Sequence, residues 1–317
     1  MINSSLKTIR YSLRNFQQSR ERSSAGMNRI VSREVLNSET VMLDIEAPAI
    51  ARKALPGQFI IFRVDELGER IPLTVAGTDT EKGTVRIIFQ MVGKSTMQLG
   101  RKQVGETIAS FVGPLGRPSE LDHLAGKNVA VIGGGLGTAI AYPQATYLHK
   151  IGAHVDFIAG FRTKDLIILE DEMRAVSDNL YVATDDGSNG KKGFVTDVLK
   201  ELIDAGKHYD LVIAIGPLVM MRAVANLTKP YNIDTLVSMN TIMVDGTGMC
   251  GCCRLTVGGE IKFSCVDGPD FDAHQVDFDE AIRRSKAYLK QEAYDREREK
   301  EKEESHRCRL TGEVRHE

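Results

Sequence analysis

Long apolar runs are missing from this 317-residue chain: nowhere do roughly eighteen or more apolar residues follow one another, so no membrane-spanning helix is expected. A strong charge of either sign is also missing. The formal net charge of −2 gives no electrostatic case for nucleic acid or an anionic membrane as partner. No segment repeats at a fixed period. No nucleophile–base constellation stands out, which removes the usual hydrolase chemistries. Cysteine is scarce, at five residues, and unevenly placed: Cys250, Cys252, Cys253 and Cys265 crowd together while Cys308 stands alone near the end. A disulfide scaffold spreads paired cysteines through a short secreted chain. Crowded thiols with no apolar signal segment point instead to a reduced, cytoplasmic setting and a metal site.

The composition that is present, 42% hydrophobic and 26% charged, is that of a soluble globular chain long enough for two modest domains. Residues 1–26 stand apart. Lys7, Arg10, Arg14, Arg20 and Arg22 face one acid, Glu21, and Ile2, Leu6, Ile9, Leu13 and Phe16 fall on one helical stripe. The plainer reading is an upstream extension ahead of Met27; the alternative is a transit peptide for an organelle matrix.

From 29 to 113 the pattern predicts short strands at 29–35, 40–46, 58–64, 71–76, 84–92 and 107–111, rich in β-branched residues and separated by turns. Six strands without a convincing helix predict an antiparallel β-barrel over 27–117. The Gly- and Pro-rich segment 113–118 breaks this rhythm. Strands at 128–132, 154–159, 180–184, 211–215 and 236–239 then alternate with helices at 137–151, 169–177, 194–205 and 218–227, the signature of a doubly wound parallel sheet spanning 118–239. Residues 240–275 form a small loop-rich lobe that needs a staple. An amphipathic helix is expected at 278–294, within a final segment 276–317. The almost purely charged run 295–304 reads as a solvated helix end fading into disorder.

The lobe carries its own chemistry. Asp245, Cys250, Cys253 and Cys265 are spaced D-x4-C-x2-C-x11-C. Plant-type [2Fe–2S] ferredoxins space ligands C-x4-C-x2-C with a distal fourth cysteine, so Asp245 occupies the first ligand position here. Gly246, Gly248 and Gly251 permit the positive-φ turns of a loop that aims N–H groups at cluster sulfurs. A carboxylate is a hard but usable ligand. Cys252 is the alternative fourth ligand, and a structural zinc site or a redox dithiol are alternative uses of the same thiols. A zinc ribbon normally shows two C-x2-C knuckles, and only one is present. No His adjoins the cysteines, against a Rieske arrangement.

Nucleotide signals lie upstream. A strand runs into Gly133-Gly134-Gly135-Leu136-Gly137-Thr138, a turn in which backbone N–H groups can approach a pyrophosphate, although Thr138 stands where the full dinucleotide fingerprint has its third glycine. Asp185-Asp186-Gly187-Ser188 and Gly216-Pro217, with Met220 just beyond, also fall at carboxyl ends of strands, where open α/β sheets bind ligands. Arg162 and Lys164 after the second strand suit a 2′-phosphate. In the barrel half, Arg70-Ile71-Pro72-Leu73-Thr74 and Gly93-Lys94-Ser95-Thr96 offer cationic, hydroxyl and backbone donors for a pyrophosphate.

On these motifs the span from about 27 to 290 resembles the ferredoxin–NADP reductase superfamily, in the branch with a C-terminal [2Fe–2S] lobe. That branch holds the electron-transfer subunits of dihydroorotate dehydrogenase B and, more similar to this chain, the small subunits of NADH-dependent reduced ferredoxin:NADP oxidoreductases, also described as sulfide dehydrogenase subunits. The resemblance implies that Arg70, Pro72, Leu73, Thr74, Gly93, Ser95 and Thr96 hold FAD. It implies that Gly133, Gly134, Gly135, Gly137, Thr138, Arg162, Asp185, Asp186, Gly187, Gly216, Pro217 and Met220 hold the nicotinamide nucleotide, with NAD(H) favoured over NADP. The dihydroorotate branch uses four cysteines, so Asp245 favours the transhydrogenase branch. A heterodimer is then implied, with a large flavin and iron–sulfur subunit resembling the glutamate synthase small subunit. A zinc-stabilised nucleotide-binding module without redox activity is the competing reading.

Overall fold

The structure, a computed structural model, describes residues 28–311, with side chains through residue 301. The expectations for residues 1–26 and for the Cys308 side chain lie outside the described residues.

The first part of the chain is antiparallel throughout. Strands β1 (Ile30–Val35), β2 (Thr40–Glu46), β5 (Gly77–Asp79) and β6 (Thr84–Gln90) form a sheet of order β1-β2-β6-β5. Strands β3 (Phe59–Arg63), β4 (Ile71–Thr74) and β7 (Ser110–Leu115) form a second, of order β4-β3-β7. The inner faces close over Val41, Leu43, Ile45, Ile60, Phe62, Ile87 and Phe89. Two details differ from the sequence pattern. The strand expected at 107–111 is displaced to β7, and that expected at 71–76 ends at Thr74 before the short β5. The barrel half also has helices: α1 (Pro48–Ala51) and α2 (Lys94–Arg101). Only Ser95, Met97, Leu99 and Gly100 of α2 are buried, so its apolar stripe is too short to read as a helix in a strand-rich context.

Strand β3 is a continuous apolar run because both of its faces are covered. Ile60 and Phe62 point into the barrel core. Phe59 and Ile61 point outward and pack with Met243, Cys253 and Cys265. The alternation of one strand thereby seats the cysteine lobe on the barrel wall.

The second part is a six-stranded sheet of order β10-β9-β8-β11-β12-β15, from β8 (Asn128–Gly134), β9 (His154–Phe161), β10 (Asn179–Thr184), β11 (Leu211–Ile215), β12 (Asp234–Ser238) and β15 (Asp270–Asp272). All pairings are parallel except β12 with β15. Helices α3 (Gly137–Lys150), α4 (Glu170–Ala175), α5 (Val195–Asp204) and α6 (Leu218–Thr228) connect successive strands. The chain reverses its winding between β8 and β11, which marks the topological switch point where ligands enter such sheets. The cysteine lobe contributes the hairpin of β13 (Arg254–Val257) and β14 (Glu260–Phe263), while β15 completes the large sheet. Leu255 and Phe271 join the core of that sheet, so the lobe has no separate core.

Where the three parts meet, Asp270 of β15 is buried. Its Oδ2 accepts hydrogen bonds from Ser119 Oγ at 2.6 Å and from Gln144 Nε2 of α3 at 3.0 Å. Its Oδ1 and the Oε1 of Gln144 have no partner. Burial raises the pKa of Asp270 above the ordinary carboxylate value, against the opposing pull of its hydroxyl and amide donors. A raised acid pKa means the folded protein holds a proton that the unfolded chain gives up. The contribution is therefore complete below the unfolded value of 3.8 and fades as pH rises through the folded value. Asp270→Asn should raise the Tm at neutral pH, and its advantage should shrink as pH falls toward 4 in paired thermal melts. An advantage that grows with acidification contradicts this sign.

The end of the chain departs from expectation. The single helix foreseen at 278–294 is two helices, α7 (Phe278–Ser285) and α8 (Leu289–Thr311). Asp277 caps α7 by accepting from Glu280 N at 2.8 Å. The run 295–304 remains helical within α8 and is not wholly solvated, because the Glu299 side chain is only 6% exposed.

Candidate cofactor and electron-transfer site

The glycine turn after β8 is shaped by contact. A Cβ on Gly137 would lie 2.2 Å from the Ile215 carbonyl oxygen and 2.7 Å from Gly216 Cα. A Cβ on Gly133 would lie 2.5 Å from Thr138 Cα, and one on Gly134 would lie 2.4 Å from Met220 Sδ. Gly137 thus fills the helix–strand packing role that the sequence pattern left open at Thr138. The Thr138 hydroxyl is fully buried without a partner. Pro217 N-caps α6, so Gly133, Gly134, Gly137, Gly216, Pro217 and Met220 meet at the carboxyl ends of β8 and β11. This cradle of bare backbone fits a nucleotide pyrophosphate.

One strand further out, Asp186 Oδ1 accepts from Ser188 N at 3.0 Å and from Ser188 Oγ at 2.7 Å, and these bonds hold its pKa below the ordinary value. Ser188 Oγ in turn accepts from Lys164 N at 2.7 Å, tying the loops after β9 and β10 together. Gly187 takes φ +78° in that turn, and Asp185 N bonds the Phe161 carbonyl at 3.0 Å. Arg162 is engaged: its Nη2 lies 3.2 Å from Glu39 Oε2 of the β1–β2 turn. Glu39 escaped the sequence reading because nothing local marks it.

On the barrel, Arg70 leads into β4, which carries Pro72, Leu73 and Thr74. Its guanidinium donates to the Val244 carbonyl at 2.8 Å and to the Asp245 carbonyl at 3.3 Å, joining the barrel to the cysteine loop. Gly93 starts α2, and its N–H donates to Thr96 Oγ1 at 3.0 Å. Ser95 Oγ donates to Glu69 Oε2 at 2.7 Å, a second link that sequence reading missed. A cavity of about 910 Å³ opens between these elements. Arg70 and residues 93–96 line one side, residues 240–244 and 250–252 another, and α7 and α8 the third. Its volume is at the upper end of cofactor pockets.

In the cysteine loop, Cys253 and Cys265 are buried with their Sγ atoms 3.2 Å apart. Burial, with Cys253 alongside, pushes the Cys265 thiol up to about 12. Neutral thiols in an apolar setting ionise readily only against a metal, which inverts this preference. Gly246, Gly248 and Gly251 take φ of +84°, +84° and +67°. Gly246 presses on the barrel: a Cβ there would lie 2.5 Å from Ile61 Cδ1. Asp245 Oδ2 accepts from Thr247 N, Thr247 Oγ1 and Met249 N at 2.9, 2.6 and 3.2 Å, which lowers its pKa and keeps it ionised. Cys250 is exposed and Cys252 intermediate. Among the described residues no trio of acid, cysteine or histidine side chains closes on one ion. The donor set still suits an iron–sulfur cluster: an ionised carboxylate and two thiols on the positive-φ loop 245–253, with Cys265, after β14, buried beside Cys253.

Comparison with known proteins follows this geometry. The family model described as the iron–sulfur cluster binding domain of dihydroorotate dehydrogenase B matches residues 240–277. The dihydroorotate dehydrogenase B (NAD(+)) electron transfer subunit homolog of Thermotoga maritima is 45% identical over 272 residues, 86% of this chain and 95% of that one. The corresponding electron transfer subunit of Bacillus caldolyticus is 34% identical over 254 residues, 78% of this chain and 96% of that one. A structure solved for flavin-based electron bifurcation by an NADH-dependent reduced ferredoxin-NADP oxidoreductase superposes with TM-score 0.81 at 44% identity, covering 86% of this chain and 97% of that chain.

Proposed function

Because this chain belongs to the family of dihydroorotate dehydrogenase B-type electron-transfer subunits, we propose that it moves electrons between NAD(H) and a larger partner subunit through FAD and a [2Fe–2S] cluster. The observation that carries this reading is structural contiguity: Arg70, before the flavin segment of β4, is hydrogen-bonded to the loop bearing Asp245 and Cys250, and that loop rests on β3 beside β4. FAD bound there would supply two-electron exchange with the nicotinamide and one-electron exchange with the cluster. The protein's share is placement. The turn after β8 and residues 216–220 seat the dinucleotide. Pro72, Leu73 and Thr74 border the flavin. Residues 93–96 present helix N–H groups, with Arg70 nearby, to its pyrophosphate. Asp245, Cys250, Cys253 and Cys265 hold the cluster.

The transhydrogenase branch is the one proposed. It is supported by Asp245 at the first ligand position and by the TM-score of 0.81 to the bifurcating structure. The partner is accordingly a large flavin and iron–sulfur subunit resembling the glutamate synthase small subunit, and the setting is the cytoplasm. A dihydroorotate-oxidising partner at co-purification would shift the assignment to the other branch.

Anaerobically purified protein should show flavin bands together with broad, red-shifted iron–sulfur absorption and should contain about two irons per FAD. A colourless protein carrying zinc would refute the redox reading and install the zinc-stabilised alternative.

A further inference from the structure

The ion pair between Arg162 and Glu39 joins two parts of the chain at the place where a dinucleotide's adenosine ribose would lie. In a doubly wound sheet that ribose sits at the carboxyl end of the strand beside the pyrophosphate turn, where an acid takes its 2′-hydroxyl or an arginine its 2′-phosphate. Strand β9 is that strand here, and it runs into Gly160-Phe161-Arg162 with no acid. The acid comes instead from the barrel. Glu39 Oε2 lies 3.2 Å from Arg162 Nη2, and the side chains are 43% and 68% exposed.

The turn carrying Glu39 is held in place without that ion pair. Glu39 N donates to Asn37 Oδ1 at 2.9 Å, and the Glu39 carbonyl accepts from Met91 N at 2.8 Å. Asn37 Nδ2 donates to the Leu166 carbonyl at 3.2 Å. Leu36 and Met42, on either side of the turn, pack on the core that runs through β8 and β9. An exposed ion pair adds little stability, so docking the turn does not account for it. Its effect is on charge. The loop after β10 adds more of the same sign: Asp185 N donates to the Phe161 carbonyl at 3.0 Å and Asp186 N to the Arg162 carbonyl at 3.4 Å, which sets two exposed acids beside Arg162. Lys164 and Asp165, both exposed on the Arg162 loop, offset one another.

We propose that Glu39 is the residue that makes this site select NAD(H) over NADP(H). This rests on the dinucleotide reading above. The Glu39 carboxylate occupies the guanidinium that a 2′-phosphate needs and opposes the phosphate's charge. A 2′-phosphate has to displace Glu39 and then lie among carboxylates. A ribose with a free 2′-hydroxyl brings no charge and meets no such barrier. Selectivity is built by repulsion of the wrong nucleotide, from a residue outside the nucleotide-binding half of the chain.

The test reads the adenosine end by itself. Full-length protein with its cofactors bound is titrated calorimetrically with AMP and with adenosine 2′,5′-bisphosphate, and KM values for NADH and NADPH are measured in parallel. Wild-type protein should prefer NADH. Glu39→Gln should improve the KM for NADPH and the affinity for the bisphosphate roughly tenfold, the scale of one freed charge-assisted contact, and leave AMP and NADH unchanged. Adding Arg162→Ala should abolish that gain, and raised salt should shrink it. Asn37→Ala loosens the same turn without altering charge, so it should not separate the two nucleotides. Equal shifts for phosphorylated and unphosphorylated probes, no shift for either, a gain that survives Arg162→Ala, or a wild-type preference for NADPH overturns the proposal while leaving the dinucleotide site in place. Wild-type protein that responds to neither nucleotide and binds neither probe overturns the dinucleotide reading and this proposal with it.

Discussion

Cys253→Ser or Cys265→Ser protein will lose its iron–sulfur absorbance and keep its flavin bands. The two thiols lie side by side in an apolar pocket formed with Phe59, Ile61 and Met243. A serine hydroxyl in either place is shorter, harder and not ionised at neutral pH, so it neither reaches nor holds a soft iron. The flavin segments lie on β4 and α2, whose register and caps do not depend on that pocket. NADH should still bleach the flavin in these variants. One-electron delivery to a partner should fall by more than the roughly 10–100-fold that outer-sphere changes alone cause at metal sites. Cys250→Ser should behave likewise. Cys252→Ser should retain the cluster, because the D-x4-C-x2-C-x11-C spacing passes it over. Asp245→Cys should retain a cluster with a shifted reduction potential. An intact spectrum in all three ligand variants would remove the ligand assignment.

Gly137→Ala carries the second large effect. The new methyl would overlap the Ile215 carbonyl at 2.2 Å and Gly216 Cα at 2.7 Å, all of it backbone in the middle of the sheet. Neither side has a flexible end that can give way, so α3 and the end of β11 must separate. Overpacking of this kind costs roughly 1–3 kcal/mol and sometimes more. The separation also opens the turn that would hold the dinucleotide pyrophosphate, so the KM for NADH should rise at least about tenfold, equivalent to about 1.4 kcal/mol of binding. Gly135→Ala is the informative comparison. Its φ is +55°, but a Cβ there meets nothing within 4 Å. It should cost only the left-handed backbone penalty of roughly 1–2 kcal/mol. Equal Tm and KM changes in the two variants would contradict the packing role of Gly137.

Much of this architecture is legible in the sequence, and its gaps have physical causes. The alternation of apolar strands with helices from 128 onward survives because the central strands β8, β9 and β11 are buried on both faces under covering helices, so pattern and burial coincide there. The four residues Phe59, Ile60, Ile61 and Phe62 form a plain apolar run, yet no local pattern tells which alternate pair faces the lobe. Helix α2 was hidden because only one short stripe of it is buried. The displaced β7 lies next to the 113–118 segment, where Gly and Pro suggest a break although the strand continues through Leu115. Pairs such as Glu39 with Arg162, Glu69 with Ser95 and Arg70 with the Val244 carbonyl join residues far apart in the chain, and composition carries no trace of them. Glu299 shows the same limit. A carboxylate in a run of charges reads as solvated until its partner, Arg101, is known to sit beneath it.

The most direct measurement is an anaerobic rapid-mixing experiment with NADH, following flavin absorbance and the EPR of the cluster in the same samples. Loss of the flavin band first, followed by a paramagnetic reduced-cluster signal that Cys265→Ser lacks, is the predicted result. A cluster that stays oxidised while the flavin is fully reduced, in protein containing both, would contradict a route from nicotinamide through flavin to iron.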